Sequence, residues 1–132
     1  MDTLRVKTKG RKHIVDMTAK LNAIIQGKNF MDGLCHVFLP HTTAALTTGE
    51  MGEGKEEDLL DVAEEIIPQI RFRHAHNPSH AWSHMAASLI GASLTLPVVN
   101  GELRLGTWQS VLLVELDGPR ERHIMVGLTH VV

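Results

Sequence analysis

Apolar and polar positions alternate twice near the start of the chain. Leu4, Val6 and Thr8 stand at every second position, Gly10 interrupts, and residues 13–17 resume the alternation, which predicts two strands closed as a β-hairpin. The period then changes. Leu21, Ile24 and Ile25 recur at helical spacing, Thr18 or Asp16 can cap the N-terminus, and Gly27 supplies a stop. Residues 34–39 form an apolar run between Gly33 and Pro40 and read as a buried strand, followed almost at once by a second strand over 44–48. Residues 55–67 place Leu59, Val62, Ala63, Ile66 and Ile67 on one face with acidic residues elsewhere and Pro68 beyond, the pattern of an amphipathic helix.

Residues 69–81 lack a period and contain Pro78, so they read as a loop. A short helix over 83–90 ends at Gly91, and strands follow over 93–99, 102–105, 107–116 and 122–131. Asn100-Gly101 between two of these is a hairpin signal, because a type I′ turn needs positive φ at both central residues. Asp117-Gly118-Pro119 marks the next reversal. The last third therefore reads as an antiparallel meander, and the whole as an α+β fold with a sandwich-like core of strands and two or three helices.

The 132 residues suit one domain, 1–132, and 43% hydrophobic with 21% charged residues describes a packed globular chain rather than a disordered one. A formal charge of −2 gives no general attraction to a polyanion, so nucleic acid is not an expected partner. No apolar run approaches the ~20 residues of a membrane helix. The single cysteine, Cys35, cannot make an intramolecular disulfide and no signal-peptide layout is present, which points to a cytoplasmic setting. On a strand Cys35 and His36 face opposite ways, so Cys35 reads as a buried, inert thiol. Lys9, Arg11 and Lys12, Arg71 and Arg73, and Arg120 and Arg122 sit beside turn signals and read as solvated loop charge, although Arg71 or Arg73 could hold a phosphate.

The distribution of histidine changes the picture. Five of the nine, His41, His74, His76, His80 and His84, fall between positions 41 and 84, and clustered imidazoles suit zinc or another borderline divalent ion. Spacing permits two sites. His80 and His84 stand four apart on one helical face, a local pair weakened by Pro78 and by the absence of a metalloprotease glutamate. Alternatively, His41, His74 and His84 converge from separate segments.

The run His41-Thr42-Thr43-Ala44-Ala45-Leu46-Thr47, Glu50 after it, Ser83-His84 leading to Ser88-Leu89-Ile90-Gly91, Ser93-Leu94-Thr95-Leu96-Pro97-Val98 and Gly106-Thr107-Trp108-Gln109 together resemble the YjbQ family over nearly the whole chain. The resemblance implies an α+β homotrimer with sites near subunit boundaries and an activity as a secondary thiamine-phosphate synthase. It selects the distributed histidines His41, His74 and His84 as metal ligands, adds Glu50 and Asp58 as catalytic carboxylates, and leaves His76 and His80 outside. Where relatives carry an Asn-Glu-Asn stretch followed by Asp-Pro, this chain reads Gly49-Glu50-Met51-Gly52-Glu53-Gly54, which keeps the glutamate and loses two amides and a proline.

The implied reaction joins a pyrimidine-methyl pyrophosphate to a thiazole phosphate and releases pyrophosphate. A divalent ion, zinc on histidines or magnesium on Glu50 and Asp58, would stabilise the leaving group. Thr42, Thr43 and Ser88 could donate to phosphate oxygens, and Thr107, Trp108 and Gln109 could receive an aromatic ring. Two other readings stand beside this one: a metal-dependent hydrolase of a phosphate or ester, and a non-catalytic trimeric module that holds a ligand in the same pocket.

Overall fold

The structure, a computed structural model, describes residues 1–73 and 78–131. Two antiparallel sheets carry it. Strands β1 (Asp2–Lys7), β8 (Glu121–Thr129), β3 (Gly33–Phe38), β5 (Ser93–Val99) and β6 (Glu102–Leu103) form the larger sheet in the order β1-β8-β3-β5-β6. The smaller sheet runs β2 (His13–Asp16), β7 (Ser110–Glu115), β4 (Ala44–Gly49). With the helices α1 (Thr18–Gly27), α2 (Lys55–Ile66) and α3 (Pro78–Ile90), this is the α+β architecture that the period changes predict.

The smaller sheet lies in the middle of the molecule. One of its faces, with Ala44, Leu46, Val111 and Leu113, packs against Val37, Val98, Ile124 and Val126 of the larger sheet and against Leu21 and Ile25 of α1. The opposite face, with Ile14, Ala45, Leu112 and Val114, packs against Trp82, Ala86 and Ala87 of α3. Burial on both faces explains why β7 is a continuous apolar run instead of an alternation. Removing a core side chain such as Leu46 or Leu113 would cost about 2–5 kcal/mol, because each also leaves a cavity.

Two expectations about pairing are corrected. β1 and β2 do not form a hairpin: β1 pairs with β8 and β2 with β7, so the two strands enter different sheets. The polar link between them is tied elsewhere, since the Thr8 N–H donates to the Arg120 carbonyl and the Thr8 hydroxyl to Glu115. The last third is likewise not a meander. The β5–β6 hairpin forms, with φ of 53° at Asn100 and 83° at Gly101 as a type I′ turn requires, but β7 then crosses to the smaller sheet and β8 returns to lie between β1 and β3. Alternation tells which side chains face inward; it does not name the partner strand.

The helices depart from expectation at their ends and faces. α3 begins at Pro78, five residues before the predicted start, because proline fits the first turn of a helix, where its missing N–H is not needed. α2 forms where predicted, yet none of its residues is buried, and Val62 and Ile66 are 49% and 72% exposed. Ile67, just past its end, is the residue of that stripe that reaches the core. Cys35 is buried, and burial raises its thiol to about 11, in line with an inert role. Among the described residues no helix is long and apolar enough to cross a membrane.

A buried ion pair joins the two sheets. Glu115 on β7 is 0% exposed and Arg122 on β8 is 3% exposed. Arg122 Nε donates to Glu115 Oε1 at 2.9 Å and Nη2 donates to Oε2. Nη2 also reaches the Thr43 carbonyl at 3.1 Å and its hydroxyl at 2.8 Å. Burial pushes the Glu115 carboxyl up, but the bonds from Arg122, Thr8 and the Asp117 N–H outweigh it and hold the group below its ordinary value. Arg122 thus corrects the reading of the 120–122 charges as solvated. Arg122→Met should lower unfolding stability by about 3–5 kcal/mol in urea titration, because it strands a buried carboxylate. The double variant Arg122→Met, Glu115→Leu should recover much of that loss.

Candidate functional site

A cleft opens directly above this ion pair. Its volume is about 540 Å³, within the usual range for small-molecule sites. Three segments build its wall: His41, Thr42 and Thr43 from the link between β3 and β4, His80 and His84 from α3, and Asp117 and Arg120 from the reversal after β7 with Arg122 at the start of β8. Each segment is held by the buried pair or its neighbours. Thr43 is fixed by Arg122, while the Glu115 carboxylate accepts the Leu116 and Asp117 N–H groups at 3.0 and 3.2 Å. Gly118 completes the reversal at close quarters: a Cβ there would lie 2.5 Å from the Gly10 carbonyl oxygen.

The three imidazoles of the cleft are not equivalent. His41 Nε2 accepts the His123 backbone N–H at 3.0 Å. A neutral imidazole has one acceptor nitrogen, so the His41 proton sits on Nδ1. Burial, then the charges of Arg122 and His123, lower its proton affinity and keep it neutral. His80 and His84 stand one turn apart on α3 and face the same cleft. His80 Nδ1 lies 2.7 Å from Asp117 Oδ2, and the same carboxylate oxygen accepts from Arg120 Nη2 at 3.0 Å. Burial pushes Asp117 up, but the bonds from His80 and Arg120 prevail and hold it below the usual carboxylate range.

The predicted site residues separate into groups. His41, Thr42, Thr43 and His84 come together in the cleft, and His80, set aside by the family pattern, joins them. His74 and His76 lie outside the described residues. Glu50 is exposed beyond the far end of β4, and six strand residues span about 20 Å from the histidine end. Asp58 is exposed in the first turn of α2, and Ser88 is exposed on α3. Thr107, Trp108 and Gln109 lie in the link before β7, near the Glu50 end: Gln109 Nε2 donates to Thr48 at 3.1 Å, and Trp108 is 75% exposed, so it is not a core tryptophan. Trp82, buried in α3, takes that part.

In the sequence Asp117 reads only as a turn residue, and Arg122 only as surface charge. Nothing in their spacing marks them, because burial and the partner across the cleft define their roles. Arg71 and Arg73 line a second, apolar hollow of about 630 Å³ with Ile70, Met85 and Leu89, and His84 borders both hollows.

The expected metal can be tested against these donors. His41 would have to release the His123 N–H and turn before either nitrogen could bind an ion with a lone pair. Among the described residues no three His, Cys, Asp or Glu side chains converge as a ligand set. His74, the third expected ligand, lies outside the described residues, so the expected set is seen here only at His41 and His84.

Comparison with known proteins places the chain. The family model described as UPF0047 protein YjbQ-like matches residues 2–131. The chain belongs to the YjbQ family. Its relatives include a UPF0047 protein of Archaeoglobus fulgidus, 40% identical over 93% of this chain and 96% of that one, and YugU of Bacillus subtilis, 35% identical over 92% and 93%. Among solved structures, a YbjQ-like protein of unknown function from Sulfolobus solfataricus superposes with a TM-score of 0.90 at 37% identity, covering 98% of this chain and 95% of that one. A hypothetical protein of Aeropyrum pernix gives 0.90 at 35% identity, covering 98% and 97%. The YjbQ fold is thus shared over the full described length, in a family of unknown function.

The neutral state of His41 has a consequence for stability. Its proton affinity is lowered in the folded chain, whereas the unfolded chain keeps an ordinary histidine value near about 6.5. The unfolded state then binds more protons as pH falls, so a contribution present above about 6.5 is lost on acidification through the lower folded value. Melting temperature should fall between about pH 7.5 and pH 5. His41→Gln, which keeps an acceptor for the His123 N–H but does not titrate, should shallow that slope.

Proposed function

We propose that the cleft binds a phosphorylated small molecule and that the chain is an enzyme acting on it, with thiamine-phosphate synthesis as the named form. The observation that carries this reading is the set of donors in the wall. The Arg120 guanidinium is half exposed there beside three imidazoles, while Arg122 is paired with Glu115 beneath and holds the wall in shape. Guanidinium groups, a histidine N–H at His41 and the Thr42 hydroxyl are suited to phosphate oxygens. Two linked phosphates and an aromatic ring fit the size of the hollow.

In this reaction a pyrimidine-methyl pyrophosphate loses pyrophosphate to the ring nitrogen of a thiazole phosphate. The Arg120 guanidinium and the imidazole N–H groups of the wall would stabilise the charge that builds on the departing oxygens. A divalent ion would add to that stabilisation, magnesium through the phosphate oxygens it prefers or zinc through histidine nitrogens.

Exposed apolar side chains stand on α2, at Val62 and Ile66, and around the second hollow, at Ile70, Met85 and Leu89. Such a surface supports assembly into the homotrimer that the family resemblance implies, and light scattering at three times the chain mass is its check. Assembly would also give the Glu50, Trp108 and Gln109 end of one copy a route to another copy.

The test is pyrophosphate release from the purified protein supplied with hydroxymethylpyrimidine pyrophosphate and thiazole phosphate, with and without magnesium. Release that needs both substrates is expected. Release from one substrate alone favours a hydrolase, and none under any condition sinks the synthase reading. Arg120→Gln should weaken the binding of inorganic pyrophosphate about tenfold or more in calorimetry, since it removes a charge-assisted donor.

A further inference from the structure

α3 carries two histidines into the cleft, and one of them is held in a way the proposed binding role does not explain. His80 Nδ1 meets a carboxylate that is 7% exposed, at 2.7 Å, while its own side chain remains 38% open on the cleft side. An ionised carboxylate only accepts hydrogen bonds, so the Nδ1 position must carry a proton. Nε2 is then the nitrogen left for whatever occupies the cleft. Asp117 is itself immobilised: Arg120 Nη2 donates to its Oδ2 at 3.0 Å and Arg120 Nε to its carbonyl at 2.7 Å. The Asp117 N–H is anchored to Glu115 in the buried pair.

The other imidazoles are differently disposed. His41 has spent its acceptor nitrogen on the His123 N–H, and among the described residues no hydrogen bond orients His84. A fixed tautomer, a carboxylate behind the ring and an open Nε2 facing a small-molecule cleft are the arrangement that general acid–base catalysis requires. A surface clamp between α3 and the reversal after β7 would need only the His80–Asp117 bond, with no reason for the ring to line the cavity.

We infer that His80, aligned by Asp117, is the proton-transfer residue of this cleft. This rests on the reading of the cleft as a site for phosphorylated substrates, and it gives that reaction its acid. The bond from the pyrimidine methylene carbon to the pyrophosphate oxygen breaks with its electron pair on that oxygen. The thiazole nitrogen lone pair forms the new carbon–nitrogen bond, leaving the thiazolium. The protonated His80 ring delivers its Nε2 proton to the departing oxygen and becomes neutral. A proton from water restores the ring for the next turnover. Asp117 stays ionised throughout and holds the ring in place, while Arg120 takes up the charge of the leaving group.

The experiment compares the parent chain with His80→Gln and Asp117→Asn in pyrophosphate release across pH, in calorimetric binding of inorganic pyrophosphate, and in thermal melting. His80→Gln is expected to lower turnover about a hundredfold or more while pyrophosphate affinity stays within about threefold of the parent. The alkaline limb of the parent rate should be lost in His80→Gln, and Asp117→Asn should lower turnover with pyrophosphate affinity kept, because the ring loses the group that aligns it. Turnover and pH profile unchanged in His80→Gln would overturn the assignment and leave the substrate reading standing. So would variants that lose only stability and affinity with the alkaline limb intact, which is the mark of a clamp. If the parent releases no pyrophosphate, the substrate reading has failed, and imidazole nitrogen NMR of the parent decides the rest. A His80 ring that keeps its Nδ1 proton in both its neutral and its charged form, with Nε2 responding to added inorganic pyrophosphate, upholds the proton-transfer role; a neutral ring protonated at Nε2 instead of Nδ1, or no response, overturns it.

Discussion

The buried pair between Glu115 and Arg122 is the constraint on which the rest of the molecule turns. Neither charge has access to bulk water, so each must find its full set of partners inside the protein. The two residues sit on strands of different sheets, and satisfying them locks the sheets together at one end. The remaining lone pairs and protons are taken by Thr8, Thr43 and the backbone N–H groups of Leu116 and Asp117. Such a network is costly to assemble and costly to break in part, which favours one arrangement over near alternatives.

The cleft is a product of that arrangement. The link that carries His41 and Thr42 is pinned through Thr43, and the reversal that carries Asp117 and Arg120 is pinned through Glu115. α3 supplies the third wall because Trp82, Ala86 and Ala87 bury against the outer face of the smaller sheet and leave His80 and His84 toward the opening. The aliphatic packing of α3 and the polar network at the sheet ends thus decide together where the imidazoles stand. Their neighbours give them different chemistry: His41 is a neutral donor, and His80 is a ring backed by a carboxylate.

Family membership and site geometry bear on different questions. The first accounts for the fold over residues 2–131, while the second separates the candidate residues into a histidine end and a Trp108–Gln109 end of the smaller sheet. α2, for its part, leaves Val62 and Ile66 exposed to solvent.

Most of the secondary structure was legible along the chain, because periods of two and of 3.6 residues report directly which side chains face inward. The strands around Cys35, Leu46 and Val98, the helices holding Ile25 and Leu59, and the Asn100-Gly101 turn follow from local chemistry. The histidine cluster and the family motifs also pointed to His41 and His84. Partner choice was not legible: β1 beside β8, β2 beside β7, and the burial of Arg122 depend on residues over a hundred positions apart or on the desolvation of a charge. His80 and Asp117 were passed over for the same reason. A side chain's type is local, but its water is removed and its partner supplied only when distant segments close around it, so the tertiary structure alone decided which charged residues became interior and which imidazole gained a carboxylate.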